Sequence, residues 1–207
     1  MKKICFMVVM LLSASVGAEE NCHLLAFEGD VVIRKPFVNQ FEAPAQGMAL
    51  EDKMVLNASS RSEASIRTYD GSVFVLRGNA QIEVDELRKR DRNDLLMQLT
   101  GLEIQQLPDK NANTTYQTAF VLHGEASEEP VVRSDEKITR YIEQETNGAR
   151  TLYEQGYVSG FIIKWTRLLM VFPDLSNPEM DDLILKAYDQ MNMPFRKQKY
   201  LERLKNQ

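Results

Sequence analysis

The clearest structural pattern in the first half of the chain is Ala64-Ser65-Ile66-Arg67-Thr68-Tyr69-Asp70-Gly71-Ser72-Val73-Phe74-Val75-Leu76. Asp70-Gly71 separates two runs of alternating apolar residues, and this dipeptide favours a tight type I′ hairpin turn. In that register Thr68 faces Val73 and Ile66 faces Val75 on one face of the ribbon. The other face pairs Arg67 with Phe74 and Ser65 with Leu76. Because both faces are then partly apolar, we expect the hairpin to lie inside a larger sheet or roll.

Further strand patterns follow the hairpin. Ala80, Ile82 and Val84 alternate with polar residues, which predicts a half-buried strand. We also expect strands over 95–107 and over 116–124, where short apolar runs are separated by a polar loop. The intervening residues 85–94 carry four basic and four acidic side chains, a balance typical of a solvated turn or short helix.

The order and spacing of several short motifs in this half resemble a FecR domain. The motifs are Gly29-Asp30-Val31-Val32-Ile33-Arg34, Gly47-Met48-Ala49-Leu50, residues 55–66, Asp70-Gly71-Ser72 and Asn79-Ala80-Gln81-Ile82-Glu83-Val84. Thr118-Ala119 and His123-Gly124 extend the match, although the proline and arginine usual in that last segment are missing. The resemblance covers residues 25–124. It implies an extracytoplasmic, non-catalytic β domain of a family that relays signals across cell envelopes.

The first 18 residues have the pattern of a signal peptide. Lys2 and Lys3 precede an apolar run over 4–12, and Val16-Gly17-Ala18 offers tolerated residues at the signal peptidase positions. The apolar part is about 13 residues long, whereas a membrane-spanning helix requires about 20. We therefore predict cleavage after Ala18 and a periplasmic or secreted mature chain; the alternative is an uncleaved membrane anchor.

The charge of the mature chain argues against nucleic acid as a partner. The whole chain has a formal net charge of −5, and loss of Lys2 and Lys3 makes it −7. Affinity for nucleic acid depends mainly on Lys and Arg that neutralise phosphates. After residue 18 no apolar run approaches membrane-spanning length, so we expect no membrane span after signal cleavage.

A single cysteine remains after cleavage. Cys5 lies in the signal peptide and Cys22 is left alone, which excludes an internal disulfide. We expect Cys22 and His23 to belong to an N-terminal tail. The alternatives are a disulfide to another chain and a weak metal site formed by the two neighbouring side chains.

The second half of the chain has helical spacing. Apolar and long side chains recur at 3.6-residue intervals at Ile138, Tyr141, Ile142 and Glu145. Asn177-Pro178-Glu179 is a favourable helix start, with Asn as N-cap and Pro in the first position. The acidic segment 125–134 contains Pro130 and is expected to be a linker.

Two segments of this half resemble tetratricopeptide repeats. In the first, a helix ends at Gly156 and a second helix over 161–169 stops before Pro173. In the second, a helix ends at Asn192 and another follows over 195–204. Gly156 and Asn192 are 36 residues apart, close to the 34-residue period of the repeat. Because two units are too few for an independent solenoid, we expect the helices to pack on each other, on the β domain or on a partner.

The sequence contains no recognisable catalytic constellation. His23 and His123 are 100 residues apart and lack metal-ligand spacing. Ser59-Ser60-Arg61-Ser62 lacks the glycines of a nucleophile elbow and is expected to form a turn. Neither a phosphate-binding glycine loop nor an EF-hand spacing is found. We therefore predict no enzyme activity, no cofactor and no metal site.

Two groups of residues are candidates for partner binding. The first group would line a peptide groove on the helices and comprises Tyr153, Tyr157, Phe161 and Trp165. Its alternative is a helix–helix core, because Phe161, Trp165 and Leu168 fall on one helical stripe. The second group is the basic C-terminal segment with Arg196, Lys197 and Lys199, which would face acidic polymer, lipid headgroups or an acidic partner. Its alternative is a solvated helix face whose cations favour the helix dipole.

The sequence thus predicts an α+β chain in four parts. They are a signal peptide (1–18), an all-β FecR-like sandwich or roll (19–124), a linker (125–134) and a small all-α tetratricopeptide-like domain (135–207). The function that fits is a non-enzymatic periplasmic adaptor or scaffold that binds an envelope protein or polymer. One alternative is the periplasmic component of a FecR-type transmembrane signalling system. Another is an enzyme acting on cell-wall material, which would require a converging pair of carboxylates.

Overall fold

The chain is a mixed α+β protein in its computed structural model, which describes residues 21–36, 41–105 and 135–205. In these residues eight strands come first along the chain and five α-helices follow. The predicted signal peptide, the strand expected over 116–124, His123 and the linker over 125–134 lie outside the described residues.

The strands form two antiparallel sheets of four strands each. Their bounds are β1 Cys22–Glu28, β2 Val31–Arg34, β3 Phe41–Glu42, β4 Ala49–Leu50, β5 Val55–Ala58, β6 Glu63–Arg67, β7 Val73–Arg77 and β8 Ala80–Glu83. One sheet has the order β4-β1-β6-β7 and the other the order β3-β2-β5-β8. β7 and β8 are therefore edge strands, one in each sheet.

Alternating side chains give each sheet one buried face. Ala80 and Ile82 of β8 are fully buried between half-buried polar neighbours, which confirms this part of the predicted strand; Val84 is also buried but begins a 3-10 turn. Leu24, Ile66 and Phe74 of the first sheet join Ile33, Leu56 and Ile82 of the second in one hydrophobic cluster. The two sheets therefore share a core.

The β6–β7 hairpin forms, but one residue out of the predicted register. Arg67 pairs with Val73, where the type I′ prediction placed Thr68. The Gly71 amide donates to the Thr68 carbonyl, and a positive φ (76°) occurs at Gly71 but not at Asp70. This is the geometry of a three-residue loop that ends in a left-handed glycine. The shift brings the large apolar side chains of the hairpin to the buried face, except Val73 and Val75. The predicted composition of the two faces is therefore wrong.

Residues 95–107 were expected to be strands, and this prediction is wrong. The described part of the segment belongs to helix α1 (Arg92–Gln105), in which Leu95 and Leu99 lie one turn apart and are buried. The carboxylate of Asp91 accepts two backbone amides of the first turn, at 2.7 and 2.9 Å. The segment is rich in Leu, Met and Gln, which favour a helix, and periodicity alone does not separate a short apolar strand from a buried helix.

The charged segment 85–94 is only in part the solvated turn or short helix that was predicted, because Lys89 and residues 91–94 are exposed whereas its first residues are not. It begins in a single 3-10 turn, Val84–Leu87, in which Glu86 and Leu87 are buried. Arg90 is also buried and its guanidinium lies 2.6 Å from the Asp85 carboxylate. Opposite charges that satisfy each other can be buried, and a balanced composition therefore does not by itself indicate exposure.

The helical half is confirmed. The helices are α2 Asp135–Glu154, α3 Val158–Val171, α4 Pro178–Gln190 and α5 Pro194–Lys205. The turns after α2 and α4 contain Gly156 and Asn192 with positive φ, as the predicted helix ends require. The Asn177 side chain accepts the Met180 amide at 3.2 Å and caps α4.

Helices α2 to α5 each pack on the next helix in the chain, and α2 and α3 also pack on the β region. α2 contacts α3, α3 contacts α4 and α4 contacts α5. α2 also lies against β8, and α3 lies against the 3-10 turn that follows β8. The helices therefore cover one side of the two-sheet structure.

Candidate functional site

The predicted aromatic groove residues lie mainly inside the protein. Tyr157, Phe161 and Trp165 are buried, and Tyr153 is half-buried. The ring of Tyr153 meets that of Phe161 edge-on at 5.2 Å, and Tyr157 meets Phe74 of β7 edge-on at 5.4 Å. Tyr153, Tyr157 and Phe161 thus join α2 and α3 to each other and to the β region, and the burial of Trp165 likewise agrees with the helix-core alternative.

Trp165 ties three helices together. Its indole N–H donates to the Tyr200 hydroxyl of α5 at 3.1 Å, and that hydroxyl donates to Asp181 of α4 at 2.6 Å. All three side chains are buried. Burial and the hydrogen bond to Asp181 raise the pKa of Tyr200 well above its ordinary value, so it remains a neutral donor.

The basic residues of α5 are paired with acidic residues on other helices. Arg196 and Lys199 contact the Glu103 carboxylate of α1 at 2.5 and 3.0 Å, and Lys197 lies 2.6 Å from Asp189. Burial acts to raise the pKa of Glu103, but the two cations outweigh it and hold the pKa below its ordinary value. The first turns of α5 are thus anchored to the last turn of α1, and part of the predicted positive charge is neutralised.

Three exposed apolar side chains lie on the two helices that this anchor joins. Phe195, Met97 and Ile104 are 80%, 67% and 60% exposed, the three highest values among the large apolar side chains of the described residues. Met97 and Ile104 are seven residues apart and therefore share one face of α1. We call these three residues, with Arg196 and Lys199, the α1–α5 surface.

Sequence reasoning missed the α1 part of this surface. A strand over 95–107 would have placed Met97 and Ile104 on opposite faces, since their spacing is odd. Arg196 and Lys199 were predicted to belong to a partner-binding segment, whereas Phe195 was noted only as the start of a helix. The sequence did contain a signal. Met97 and Ile104 are seven residues apart, and neither belongs to the buried positions Leu95 and Leu99.

Two glycines allow the helices to touch the β region directly. A Cβ on Gly148 of α2 would overlap the carbonyl oxygen of Gln81 in β8. A Cβ on Gly160 of α3 would overlap the carbonyl oxygen of Glu86. The helix backbones therefore lie against the backbone of β8 and its following turn at two points, closer than any other residue type permits.

Between these contacts lies a group of charges that we call the seam cluster: Glu86, Glu145 and Lys164, which are buried, and Glu83 and Arg167, which are half-buried. The ammonium of Lys164 lies 2.6 Å from Glu145 and 3.3 Å from Glu86. The guanidinium of Arg167 lies 2.8 Å from Glu83 and 3.7 Å from Glu86. Each cation thus makes its short contact with another glutamate, and Glu86 receives the longer contact from both.

The electrostatics of the cluster differ between its cations and Glu86. Burial raises the pKa of the Glu86 carboxyl to about 7, although Lys164 opposes the rise. Burial lowers the pKa of Lys164, but Glu145 and Glu86 outweigh this effect and the net pKa is raised. Lys164 therefore stays charged, while the Glu86 carboxyl can take up a proton near neutral pH.

The edge strand β7 is covered by one side chain. Gln155 accepts the Val75 amide at 2.9 Å and donates to the Val75 carbonyl at 2.7 Å. Its primary amide therefore occupies the two hydrogen-bonding groups that another strand would use. Directly before β8, the Asn79 carbonyl accepts a hydrogen bond from the Asn147 side chain of α2 at 2.9 Å.

A second polar contact fixes the hairpin loop to the helices. The Tyr157 hydroxyl lies 2.8 Å from the Ser72 hydroxyl and donates to Thr68 at 3.0 Å. Asp70 accepts from Thr68 and Ser72 at 2.6 Å and lies 2.8 Å from the Lys89 ammonium. Lys89, followed by the two hydroxyls, holds the pKa of Asp70 well below its ordinary value.

The expectation that Cys22 and His23 form a tail is wrong. Both lie in β1, where Cys22 pairs with Leu50 and His23 with Ala49 and Arg67. The Cys22 side chain is fully buried, and burial raises the pKa of its thiol to about 11. A disulfide to another chain through this thiol would require β1 to leave the sheet.

Within residues 21–36, 41–105 and 135–205, no group of three His, Cys, Asp or Glu side chains is arranged to hold a metal ion. No helix in this described part is long and apolar enough to cross a bilayer.

No family model, curated protein or solved structure matches the chain. The FecR and tetratricopeptide resemblances of the sequence therefore stay predictions.

Proposed function

We propose that the protein is a non-enzymatic periplasmic adaptor that binds an envelope protein through the α1–α5 surface. The observation that carries this proposal is that Phe195, Met97 and Ile104, the most exposed large apolar side chains of the described residues, lie on two helices joined by the Glu103 ion pairs. Single exposed apolar residues are ordinary, whereas a group beside an arginine has the composition of an interface centre.

The chemistry of this surface favours a protein segment with apolar side chains and carboxylates. Phe195 offers an aromatic anchor at the start of α5. Lys199 remains 63% exposed although it contacts Glu103, so its ammonium is accessible to a second carboxylate. A neutral or acidic polymer would contact the Lys199 ammonium but not Met97 and Ile104 on α1. Binding of such a polymer is the competing outcome of the test.

The experiment is crosslinking in intact cells with a photoreactive residue at position 195. The matched control carries the same residue at Val73, which is 54% exposed on β7 away from α5. We expect one discrete adduct from position 195, no such adduct from position 73, and its loss on Ile104→Ala. Identical adducts at both positions, or an adduct that Ile104→Ala leaves unchanged, would contradict the proposal. A series of adducts with regularly spaced masses would indicate that the partner is a polymer and not a protein.

A further inference from the structure

The helices act as a cover over the two sheet edges. α2 lies along β8 with Gly148 against its backbone, and Gln155 satisfies the free amide and carbonyl of Val75 in β7. If α2 and α3 moved away, both edges would present unpaired backbone groups to solvent or to another strand. The seam between the helices and the sheets therefore controls access to these edges.

The seam differs from an apolar interface at its centre. Glu86 and Lys164 are each 3% exposed, and Glu145 and Arg167 complete the contact from α2 and α3. Polar side chains extend the seam outward: Asn57 of β5 donates to Gln81 at 3.2 Å and to Gln144 at 3.1 Å. Closure of the helices therefore removes ionised groups from water.

Glu86 is the carboxylate with the weakest compensation. Its Oε2 accepts the Glu83 backbone amide at 3.0 Å, and its contacts with Lys164 and Arg167 are 3.3 and 3.7 Å. Both cations already make a shorter contact with another carboxylate. The charged and titratable groups that face this centre come from five elements: Glu83 of β8, Asp85 and Glu86 of the 3-10 turn, Tyr141 and Glu145 of α2, Lys164 and Arg167 of α3, and Arg34 of β2.

We propose that closure of α2 and α3 on the sheet edges is linked to the uptake of one proton by Glu86, so that the cover over β7 and β8 is firmest below neutral pH and loosens as the pH rises. In the open arrangement Glu86 is solvated and ionises as an ordinary glutamate. In the closed arrangement its ionised form lacks a close cation of its own. The protonated form needs no cation and leaves Lys164 and Arg167 to Glu145 and Glu83.

The sign of the pH dependence follows from this difference. The pKa of Glu86 is raised from 4.5 to about 7 in the closed protein, so closure favours the protonated form. The stabilisation is fully present below the open-state value, and it is lost as the pH rises through the closed-state value. Where one proton separates the two states, the closing equilibrium constant falls by about tenfold per pH unit.

The first test compares wild type with Glu86→Gln, which mimics the protonated carboxyl in shape. Residues 19–207 are unfolded in urea at pH 5, 6, 7 and 8, and amide hydrogen exchange of Val75 and of β8 is followed at the same pH values after correction for intrinsic rates. We expect the wild-type edges to lose protection by up to about tenfold per pH unit between pH 5 and 7, and Glu86→Gln to remove most of this slope. Glu28→Gln, an exposed change in β1, should keep it.

The same pH slope in Glu86→Gln as in wild type, or no slope in wild type, would overturn the proposal. A second measurement uses wild type alone and does not depend on the folding of a variant. Carbon-13 NMR of the glutamate side-chain carboxyls should show one carboxyl that titrates near neutral pH. If every glutamate carboxyl titrates below about pH 5.5, as ordinary glutamates do, the proposal is wrong.

Discussion

Alanine at Gly148 should destabilise the protein, although the same change inside an ordinary helix stabilises it. In this structure a Cβ at position 148 would overlap the Gln81 carbonyl oxygen and lie 2.9 Å from both the Gln81 carbonyl carbon and the Lys164 Cε. Carbon atoms in contact stay about 3.5–4 Å apart, so α2 must retreat from β8 by about 1 Å.

The magnitude follows from two opposing terms. Overpacking costs about 1–3 kcal/mol, and the upper end applies here because the neighbouring atoms belong to a strand backbone rather than to a flexible side-chain end. Replacing glycine by alanine in a helix contributes about 1 kcal/mol in the opposite direction. We therefore expect Gly148→Ala to lower the free energy of unfolding by about 2 kcal/mol.

Gly101 provides the matched control. It lies inside α1, and a Cβ added to it would meet no atom within 4 Å. Gly101→Ala should raise the free energy of unfolding by about 0.5–1 kcal/mol, because only helix propensity changes. Urea unfolding followed by far-UV circular dichroism measures both variants. A Gly148→Ala protein as stable as wild type would refute the direct packing of α2 on β8.

Two further predictions concern single side chains. Lys164→Met should lower the free energy of unfolding by about 3–5 kcal/mol, because it leaves buried carboxylates without their closest cation. The surface change Lys197→Met, which removes only the contact with Asp189, should cost less than about 1 kcal/mol in the same urea titration. Asn177→Ala should cost about 1 kcal/mol through loss of the α4 N-cap to the Met180 amide, and Asn177→Asp should restore most of it.

The local patterns that the sequence predicted correctly are those in which one physical signal dominates. The alternation at Ala80, Ile82 and Val84 can only bury one face of a strand, and Asn177-Pro178 both caps and starts α4. The hairpin between β6 and β7 was also predicted. Its register was not, because Asp-Gly suits both a two-residue turn and the last two positions of a three-residue loop.

The seam cluster could not be derived from the sequence, since its members come from segments far apart in the chain. A signal was nevertheless present. Lys164 lies between Ile163 and Trp165 in a largely apolar helix, and Gly148 interrupts α2 without ending it. A charge inside an apolar stripe and a glycine inside a helix both indicate a close neighbour, but neither identifies Glu86 or Gln81 as that neighbour.

The same limit applies to the α1–α5 surface. The sequence left open whether Trp165 lines a groove or a helix–helix core, and the structure shows it buried. The exposure of Met97 and Ile104 was not predicted, because it depends on the secondary structure of α1. Because Leu-rich segments of this length fit both a strand and a helix, only the packing of Leu95 and Leu99 against the rest of the core decides between them.

Two intrinsic probes, one in each layer, test most directly whether the helices and the sheets fold as one unit. Trp165 is the only tryptophan and is buried in α3, while Cys22 is buried in β1 and is the only cysteine of residues 19–207. Trp165 fluorescence and Cys22 thiol labelling should report the same urea midpoint, because the two glycine contacts and the seam cluster join the layers. A Trp165 transition at clearly lower urea than Cys22 labelling would contradict this, and would show that the helices are a separate and weakly held domain.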